Sequence, residues 1–462
     1  MTSEFENQPP ATAFHAEAVR VLRDALDAPA GTRIVRAELP LPDIEPLAWL
    51  RAHPAHTQYY WSDRKNDFTM AGVGEADVLA PEAGEDYRLE EVFATMRRRL
   101  DKRRPSLRYY GGLRFHPGEP RTELWKAFRD YRFVVPQFEV VRRMDGTFFA
   151  INVRPAAYAS DDDALVAVAE QLHAITPEPV AAPVTLPAVV RRHDNPDWRG
   201  WDRLVRSALD AIEKTGLRKV VLARETHFTM AGALDPVDLL TQLSRRSVNA
   251  FQFCFHPAPD RAFVGASPER LYKRVSTYLQ SEAIAGTRPR GRTDEADRQF
   301  AQKLLDSDKE RREHAFVVDM LRGHFEQLCE TMYCEDTPGI LRLRNCQHLR
   351  TRMEGLLRDP HADAALLHTL HPTPAVGGEP RPLALRWLEE HEPFDRGIYA
   401  SPTGWVGANA AEFCVAIRSG LVLGDRLVLY NGAGIVPGAD PAEEWDEIQS
   451  KMGNFLSVLT GG

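Results

Sequence analysis

The chain has 462 residues, 43% of them apolar, and its 66 Asp and Glu outnumber its 58 Lys and Arg to give a net charge of −8. This balance argues against a general nucleic-acid binder, because such domains carry a basic excess. The apolar content is ample for a large core. The length predicts two or three domains, although large two-sheet α/β enzymes of this size also form one unit.

The cysteines indicate the compartment in which the chain works. Their odd number and uneven spacing argue against a disulfide framework and for a reducing environment. They are Cys254, Cys329, Cys334, Cys346 and Cys414. Three of them could form a four-ligand zinc set with His348, but Cys329-x4-Cys334 lacks the usual knuckle spacing.

No segment has the pattern of a signal peptide or a membrane span. The first 18 residues are polar and acidic without an apolar run, and no later window holds about 18 uninterrupted apolar residues. We therefore expect a cytoplasmic protein with no membrane partner.

Hydrophobic periodicity predicts mostly antiparallel sheet in the first third of the chain. The predicted elements are helices at 13–27 and 89–104, strands at 33–42, 57–64, 67–76 and 107–115, and a hairpin over 132–155 around Asp145-Gly146. Five prolines between Pro177 and Pro196 then mark the best candidate for a seam, near 175–197, between two halves.

Helices and strands alternate beyond the seam. The predicted elements are helices at 201–216, from Asp235 and from about Thr293 to Met332, strands at 218–228, 251–257, 262–274, 277–291 and 413–436, and a last helix from Asp440. The segment Leu370 to Gly378, LHPTPAVGG, cannot be a regular helix or a central strand. We interpret it as a shaped loop that lines a pocket, although such a cluster is more often a tight surface connection.

Two pairs of carboxylates lie at helical i, i+3 spacing. They are Glu310 with Glu313, and Glu444 with Glu447. Each pair lies on one helix face, so two such helices would gather the oxygen ligands that Mg²⁺ prefers. The alternative is two ordinary solvated faces. Lys451, four residues after Glu447, is either a simple helix partner of that residue or a substrate contact.

A lysine and a glutamate could supply acid–base chemistry. Lys219 begins the apolar segment KVVLAR, and Glu269 lies in the turn ASPERL after another strand. A lysine at a strand edge usually extends to solvent. If both groups are desolvated, the lysine becomes a candidate general base and the glutamate a candidate general acid.

Three further features are typical of anion recognition. They are the turn Gly286-Thr287, the turn Gly432 to Gly434, and Arg418. Glycine turns let backbone N–H groups approach a carboxylate, and arginine binds one with a fork of donors. Each feature is weak alone, and the sequence around Gly286 lacks the ending of a P-loop.

The segment from about 200 to 457 carries ten motifs that resemble, in order, those of the chorismate-utilising enzymes. This family includes isochorismate, salicylate, anthranilate and aminodeoxychorismate synthases. The motifs are KVVLAR, GASPERL, EAIAGTRPRG, DKERREH, QHLRT, LHPTPAVGG, DRGIY, AIRSG, GAGIV and EEWDEIQSK. The segments YYGGLRF and FVVPQFEV are similar to the variable half of menaquinone-type members.

The resemblance implies an α/β (α+β) fold with two large β-sheets stacked face to face, helices outside and one active site in a cleft. It implies a variable N-terminal half, 1–180, that contributes to the sheets, and a chorismate-binding region, 195–457, in what we expect to be one structural unit. The implied cofactor is Mg²⁺, with Glu313 and Glu447 as direct ligands and Glu310 and Glu444 supporting them through water.

The resemblance also implies which residues contact chorismate, the expected substrate. They are Gly286, Thr287, His348, Ala375, Val376, Tyr399, Arg418, Gly434 and Lys451. The loop residues among them, Ala375 and Val376, would shape the space beside the ring.

Positions that vary within the family are similar to those of the isochorismate synthases. Lys219 occupies the place of the lysine that activates water there and in salicylate synthases, where amine-using members carry glutamine. Ala285 stands where aminodeoxychorismate synthases can carry a nucleophilic lysine, and Ala375 where salicylate synthases have threonine. The implied protein is a monomer that serves menaquinone biosynthesis without a glutaminase subunit.

The implied reaction adds water at C2 of chorismate as hydroxide leaves C4. Glu269 would protonate the leaving hydroxyl, and neutral Lys219 would take a proton from the water. The alternatives are a salicylate synthase, a siderophore-pathway isochorismate synthase, an amine-using synthase and a non-catalytic regulator that binds chorismate or metal. Intact Lys219 and Glu269 argue against the regulator.

Overall fold

Strands from both predicted halves of the chain pair within the same two sheets. The computed structural model describes residues 10–27, 31, 33–82, 85–116, 122–180, 182–343 and 346–460. The first nine residues, which contribute to the expectation about targeting, lie outside this part. Within it, none of the helices combines the length and the apolar composition needed to cross a membrane.

The helices are α1 (Pro10–Leu26), α2 (Pro46–Leu50), α3 (Leu89–Arg99), α4 (Asp161–Leu172), α5 (Trp198–Lys214), α6 (Pro236–Ser244), α7 (Asp294–Asp306), α8 (Asp308–Leu328), α9 (Asp363–Leu370), α10 (Arg381–His391), α11 (Pro441–Lys451) and α12 (Gly453–Leu459). Several begin as the sequence predicts. Asp235 accepts hydrogen bonds from the first turn of α6, and Asp440 does the same for α11.

The strands are β1 (Val35–Leu41), β2 (Gln58–Ser62), β3 (Thr69–Val73), β4 (Asp77–Leu79), β5 (Arg108–Leu113), β6 (Tyr131–Val135), β7 (Phe138–Arg143), β8 (Gly146–Val153), β9 (Val189–Asn195), β10 (Lys219–Met230), β11 (Phe251–Ala258), β12 (Arg261–Ser267), β13 (Arg270–Val275), β14 (Tyr278–Pro289), β15 (Cys329–Cys334), β16 (Gly339–Arg342), β17 (Cys346–Leu357), β18 (Gly378–Glu379), β19 (Pro402–Gly407), β20 (Ala410–Val415), β21 (Ser419–Leu423) and β22 (Arg426–Ile435).

The strands form two large antiparallel sheets, as expected. The first has the order β1-β8-β7-β3-β2-β11-β12-β21-β22-β10-β18, with β9 also beside β10. The second has the order β15-β17-β14-β13-β20-β19-β5-β6-β4, with β16 also beside β17. Strand β2 pairs with β11, and β5 pairs with β19, so each sheet joins early and late parts of the chain.

The chain crosses from one sheet to the other at Pro136. The sequence pattern suggests one extended unit over 132–155, but β6 belongs to the second sheet and β7 to the first. Proline has no N–H for a strand ladder, which suits it to the crossing point. The predicted hairpin is confirmed between β7 and β8, where Arg143 lies opposite Gly146.

The prediction of one long helix from about Thr293 to Met332 is wrong. The helix breaks at Ser307, whose backbone is extended and whose hydroxyl accepts a hydrogen bond from the N–H of Glu310. Helix α8 then ends at Leu328, and the following six residues form β15. The break starts a new helix immediately before the first carboxylate pair.

The proline-rich seam runs past helix α2. The N–H of Val180 donates to the carbonyl of Ala48 at 3.0 Å, and Arg51 Nη1 donates to the carbonyl of Ala182 at 2.7 Å. From Val189 the chain forms β9, which pairs with β10.

Apolar side chains from both sheets fill one core. Trp125 packs against Phe263 of the first sheet, and Phe133 packs against Phe413 within the second. All five cysteines are free. The zinc alternative has no support among the described residues, because no three His, Cys, Asp or Glu side chains there are arranged to hold an ion.

Candidate active site

One cavity of about 110 Å³ brings together fourteen of the fifteen predicted site residues. They are Glu269, Gly286, Thr287, Glu310, Glu313, His348, Ala375, Val376, Tyr399, Arg418, Gly434, Glu444, Glu447 and Lys451. The fifteenth, Lys219, lies directly behind this lining and contacts Glu313. The residues come from parts of the chain more than 180 positions apart, so the fold rather than local sequence assembles them.

Lys219 is fully buried at the start of β10. It therefore does not extend to solvent, as strand-edge lysines usually do. Its Nζ donates a hydrogen bond to Glu313 Oε1 at 2.9 Å. Gly434 on the neighbouring strand β22 makes room for this contact, since a Cβ there would lie 3.0 Å from Lys219 Cε and 3.3 Å from Glu313 Oε1.

Glu269 lies in the turn after β12 and is 5% exposed. Burial raises the pKa of its carboxyl to about 8, and the nearby Glu282 carboxylate adds to this rise. The cations Lys219, Lys451 and Arg418 act in the opposite direction but do not cancel it. A carboxyl group with this pKa keeps its proton at neutral pH and can donate it to a leaving group.

The two carboxylate pairs meet at the cavity from α8 and α11, and each glutamate faces a cation. The closest N–O pairs are Lys219 with Glu313 at 2.9 Å, Lys451 with Glu447 at 2.6 Å, Arg288 with Glu310 at 2.5 Å and Lys309 with Glu444 at 4.0 Å. The alternative of two ordinary solvated faces is wrong, because all four side chains line the cavity and Glu310 and Glu444 are buried.

The four carboxylates also act on one another. Burial and the neighbouring Glu447 carboxylate raise the pKa of Glu444 to about 7. The pKa of Glu310 is raised as well, first by burial and then, against the effect of Arg288, by Glu313. A set of mutually repelling carboxylates is the donor chemistry that a hard divalent cation requires.

A metal ion bound between the four glutamates would have to displace the lysine and arginine groups that now contact them. As the described side chains stand, no three of them are arranged to hold an ion, and each of the four glutamates faces a lysine or arginine group instead. Rotation of Glu313 and Glu447 away from Lys219 and Lys451 would release their oxygens into the same cavity. The residues present therefore fit a Mg²⁺ ion by the chemistry of their donor atoms, and a complete ligand set would require that rotation.

The opposite wall carries the predicted anion-binding groups. Arg418 Nη2 lies 3.2 Å from both Cys346 Sγ and His348 Nε2. His348 is buried, and its Nδ1 lies 3.0 Å from the carbonyl oxygen of Gly286 and 3.2 Å from Thr287 Oγ1. Although burial opposes it, the Arg418 guanidinium lowers the pKa of Cys346 to about 6.

Lys451 and Tyr399 complete the polar lining. Lys451 Nζ donates to Glu447 Oε1 at 2.6 Å and to the carbonyl of Gly432 at 2.8 Å. It is thus both a helix partner of Glu447 and a group at the cavity. Tyr399 is buried and stacks on Tyr430, with 5.4 Å between the ring centroids.

The LHPTPAVGG segment forms the remaining wall. Between α9 and β18 it runs irregularly, and Ala375 and Val376 line the cavity. Its end is attached to β10, since the N–H of Val221 donates to the carbonyl of Gly377 at 2.9 Å. The segment is therefore a pocket wall and not merely a surface connection.

Several lining residues carry no prediction from the sequence. They are Val221, Pro268, Ile284, Lys309, Ile417 and Asn431. Gly432, which also lines the cavity, belongs to the predicted anion-binding turn, and Ala285 is the position compared above with aminodeoxychorismate synthases. Lys309 lies within the motif DKERREH, and Asn431 directly precedes the motif GAGIV. The sequence alone assigns no role to Arg396, although this residue lies in the motif DRGIY. Its side chain contacts two main-chain segments beside the cavity.

The sequence model of the chorismate-binding enzyme family matches residues 21–460, so the chain belongs to this family. Among its relatives, the isochorismate synthase MenF of Escherichia coli is 32% identical over 454 residues, which cover 96% of this chain and 97% of that protein. The salicylate biosynthesis isochorismate synthase of Pseudomonas aeruginosa is 35% identical over 358 residues, or 76% and 74% of the two chains.

A solved structure shows the same architecture. The menaquinone-specific isochorismate synthase MenF from Escherichia coli superposes with a TM-score of 0.83 at 29% identity, covering 96% of this chain and 99% of that one. Family and fold thus agree with the two stacked sheets and the cavity described above.

Proposed function

We propose that this protein is a Mg²⁺-dependent isochorismate synthase that converts chorismate to isochorismate. The observation that carries the proposal is the pair formed by Lys219 and Glu269. Both are buried, Glu269 lines the cavity while Lys219 lies directly behind its lining, and the pKa of Glu269 of about 8 leaves its carboxyl protonated at neutral pH. The relatives named above are isochorismate synthases, and they match nearly all or most of the chain.

The reaction breaks the C4–O bond and forms a new C2–O bond, so the leaving hydroxyl oxygen needs a proton and the incoming water must lose one. Hydroxide is a poor leaving group, so Glu269 donates its proton to the C4 hydroxyl as that bond breaks. Lys219 is the group that accepts a proton from the water that adds at C2. Each of these groups should accelerate the reaction by about 10²- to 10⁴-fold.

The other residues of the cavity hold and orient the substrate. Arg418 and Lys451 supply positive charge for the chorismate carboxylates, and the Gly286-Thr287 turn and Gly434 let the backbone approach them. Glu313 and Glu447, with Glu310 and Glu444 behind them, would hold Mg²⁺. Bound there, the ion would offset the glutamate charges and attract the ring carboxylate.

Menaquinone biosynthesis is the route we propose for the product. The match to MenF of Escherichia coli extends over 96% of this chain, and therefore includes the variable N-terminal half. The match to the salicylate biosynthesis enzyme covers 76% of it. We further propose that the protein is a cytoplasmic monomer. It would act without a glutaminase subunit, because water rather than ammonia is the proposed nucleophile.

Product analysis by mass spectrometry, with chorismate and Mg²⁺, tests this function. Wild-type protein should form isochorismate, whereas Lys219→Ala and Glu269→Gln should each lower kcat by about 10²-fold or more. Exposed Glu443→Gln on α11 is the matched control and should retain the wild-type rate. Salicylate, or anthranilate when ammonia is added, as the main product would refute the proposal, and so would full activity in both catalytic variants.

A further inference from the structure

We propose that Arg396 and Glu392 are a positioning pair that fixes the LHPTPAVGG wall against β10 and so sets its place relative to Lys219. Neither residue lines the cavity. The inference rests on the proposed function, since it concerns the geometry of that reaction.

The guanidinium of Arg396 joins two segments of main chain that face the substrate cavity. Its Nη1 donates to the carbonyl of Val376 at 2.8 Å, and its Nη2 donates to the carbonyl of Val221 at 2.7 Å. Val376 belongs to the loop wall, and Val221 lies two residues after Lys219 on β10. Both valines line the cavity, so this side chain links the two walls, in addition to the main-chain hydrogen bond from Val221 to Gly377.

Glu392 holds the guanidinium in the required orientation. Arg396 Nε donates to Glu392 Oε2 at 2.7 Å, and Nη2 donates to Oε1 at 2.5 Å. Glu392 Oε1 also accepts a hydrogen bond from the N–H of Ala223 at 2.9 Å. The pair therefore contacts β10 at two points, the carbonyl of Val221 and the N–H of Ala223.

An aromatic ring from the N-terminal half covers the pair. The Phe115 ring centroid lies 4.4 Å from Arg396 Cζ, and the N–H of Phe115 donates to the carbonyl of Gly397 at 2.8 Å. His371, at the start of the loop, packs edge-on against the same ring at 5.3 Å. Arg396 is 2% exposed as a result, and a desolvated ion pair between rigid elements has little freedom to move.

A lysine at this position could not replace the arginine. Its ammonium is a point charge without the planar fork that reaches two carbonyls and a carboxylate at once. With Arg396→Lys the loop should shift relative to β10, while the groups that hold the substrate carboxylates remain. A displacement of about 1 Å in a reacting geometry can lower a rate by about 10²-fold.

The test compares Arg396→Lys with the control variant Arg381→Lys. Arg381 does not line the cavity and holds the start of the same loop to the end of α9, because its Nη1 donates to the carbonyls of His368, Thr369 and His371. We expect kcat per folded molecule of Arg396→Lys to fall by about 10²-fold, with KM for chorismate within about threefold of wild type. The control should lose thermal stability but keep its kcat.

Glu392→Asp provides a second variant, because it keeps the charge but retracts the carboxylate by one methylene. It should show the same loss in kcat with little change in KM, and it decides the question if Arg396→Lys does not fold. Wild-type kcat per folded molecule in these variants, or an equal loss in Arg381→Lys, would overturn the inference. Failure of the proposed function is distinguishable, because wild-type protein would then form no isochorismate.

Discussion

At the scale of single residues, the carboxyl group of Glu269 opposes folding at the pH where it acts. Burial raises its pKa from 4.5 to about 8, so the folded protein retains a proton that the unfolded chain has released. The contribution of the protonated carboxyl to the free energy of unfolding is fully present below about pH 4.5. It is lost as the pH rises toward 8. A buried acid that is useful in catalysis thus lowers stability.

Glu269→Gln should therefore stabilise the metal-free protein in a pH-dependent way. We expect no difference from wild type near pH 4, a growing advantage between pH 4.5 and 8, and a constant advantage on the order of 2–4 kcal/mol above pH 8. Urea unfolding at several pH values measures it. Exposed Glu443→Gln is the control. Parallel stability profiles for wild type and Glu269→Gln would show that the pKa of Glu269 is not raised.

The sequence alone identifies the chemical groups of the site but not their environment. The i, i+3 spacing of Glu313 with Glu310 and of Glu447 with Glu444 correctly predicts two helix faces. Spacing cannot show that Lys219 is buried against Glu313, because the two residues are 94 positions apart. Arg396 escapes sequence reasoning for the same reason, since its partner Val221 lies 175 positions away.

At the scale of secondary-structure elements, the decisive feature is the break between α7 and α8. Ser307 caps α8 and places Glu310 in its first turn. The signature Ser307-x-x-Glu310 is typical of a helix start and was present in the sequence. A continuous helical periodicity across Ser307 obscures this signature in the sequence. In the structure the extended backbone of Ser307 ends α7, and both α7 and α8 pack against β14 and β17.

Two helix faces form the proposed metal site, so the metal should control substrate binding. Four carboxylates and a chorismate dianion repel one another strongly at low dielectric. In calorimetry we expect chorismate to bind the wild-type protein about tenfold or more tightly with Mg²⁺ than without it. Glu447→Gln should lose most of this difference, whereas Glu443→Gln, exposed on the same helix, should keep it. Equal affinity with and without Mg²⁺ would refute this assignment of the glutamates.

At the scale of the whole molecule, the resemblance to a family predicts the arrangement of the two sheets, whereas local periodicity predicts only the individual strands and helices. Periodicity correctly predicts most strands and helices, but it does not show that the chain leaves the second sheet at Pro136 or that β5 pairs with β19. Those contacts join residues hundreds of positions apart, and they bring Phe115 of the N-terminal half against Arg396 beside the cavity. The two sheets are thus a scaffold to which both halves contribute.

The origin of the new hydroxyl group tests the central claim most directly. If water adds at C2 while the C4 hydroxyl leaves, isochorismate formed in ¹⁸O-labelled water at early times should contain one ¹⁸O atom, located at C2 by fragmentation. Early sampling matters because the reverse reaction would carry label into chorismate. Isochorismate without the label, or a labelled product in which C4 has kept its original oxygen, would contradict the mechanism assigned to Lys219 and Glu269.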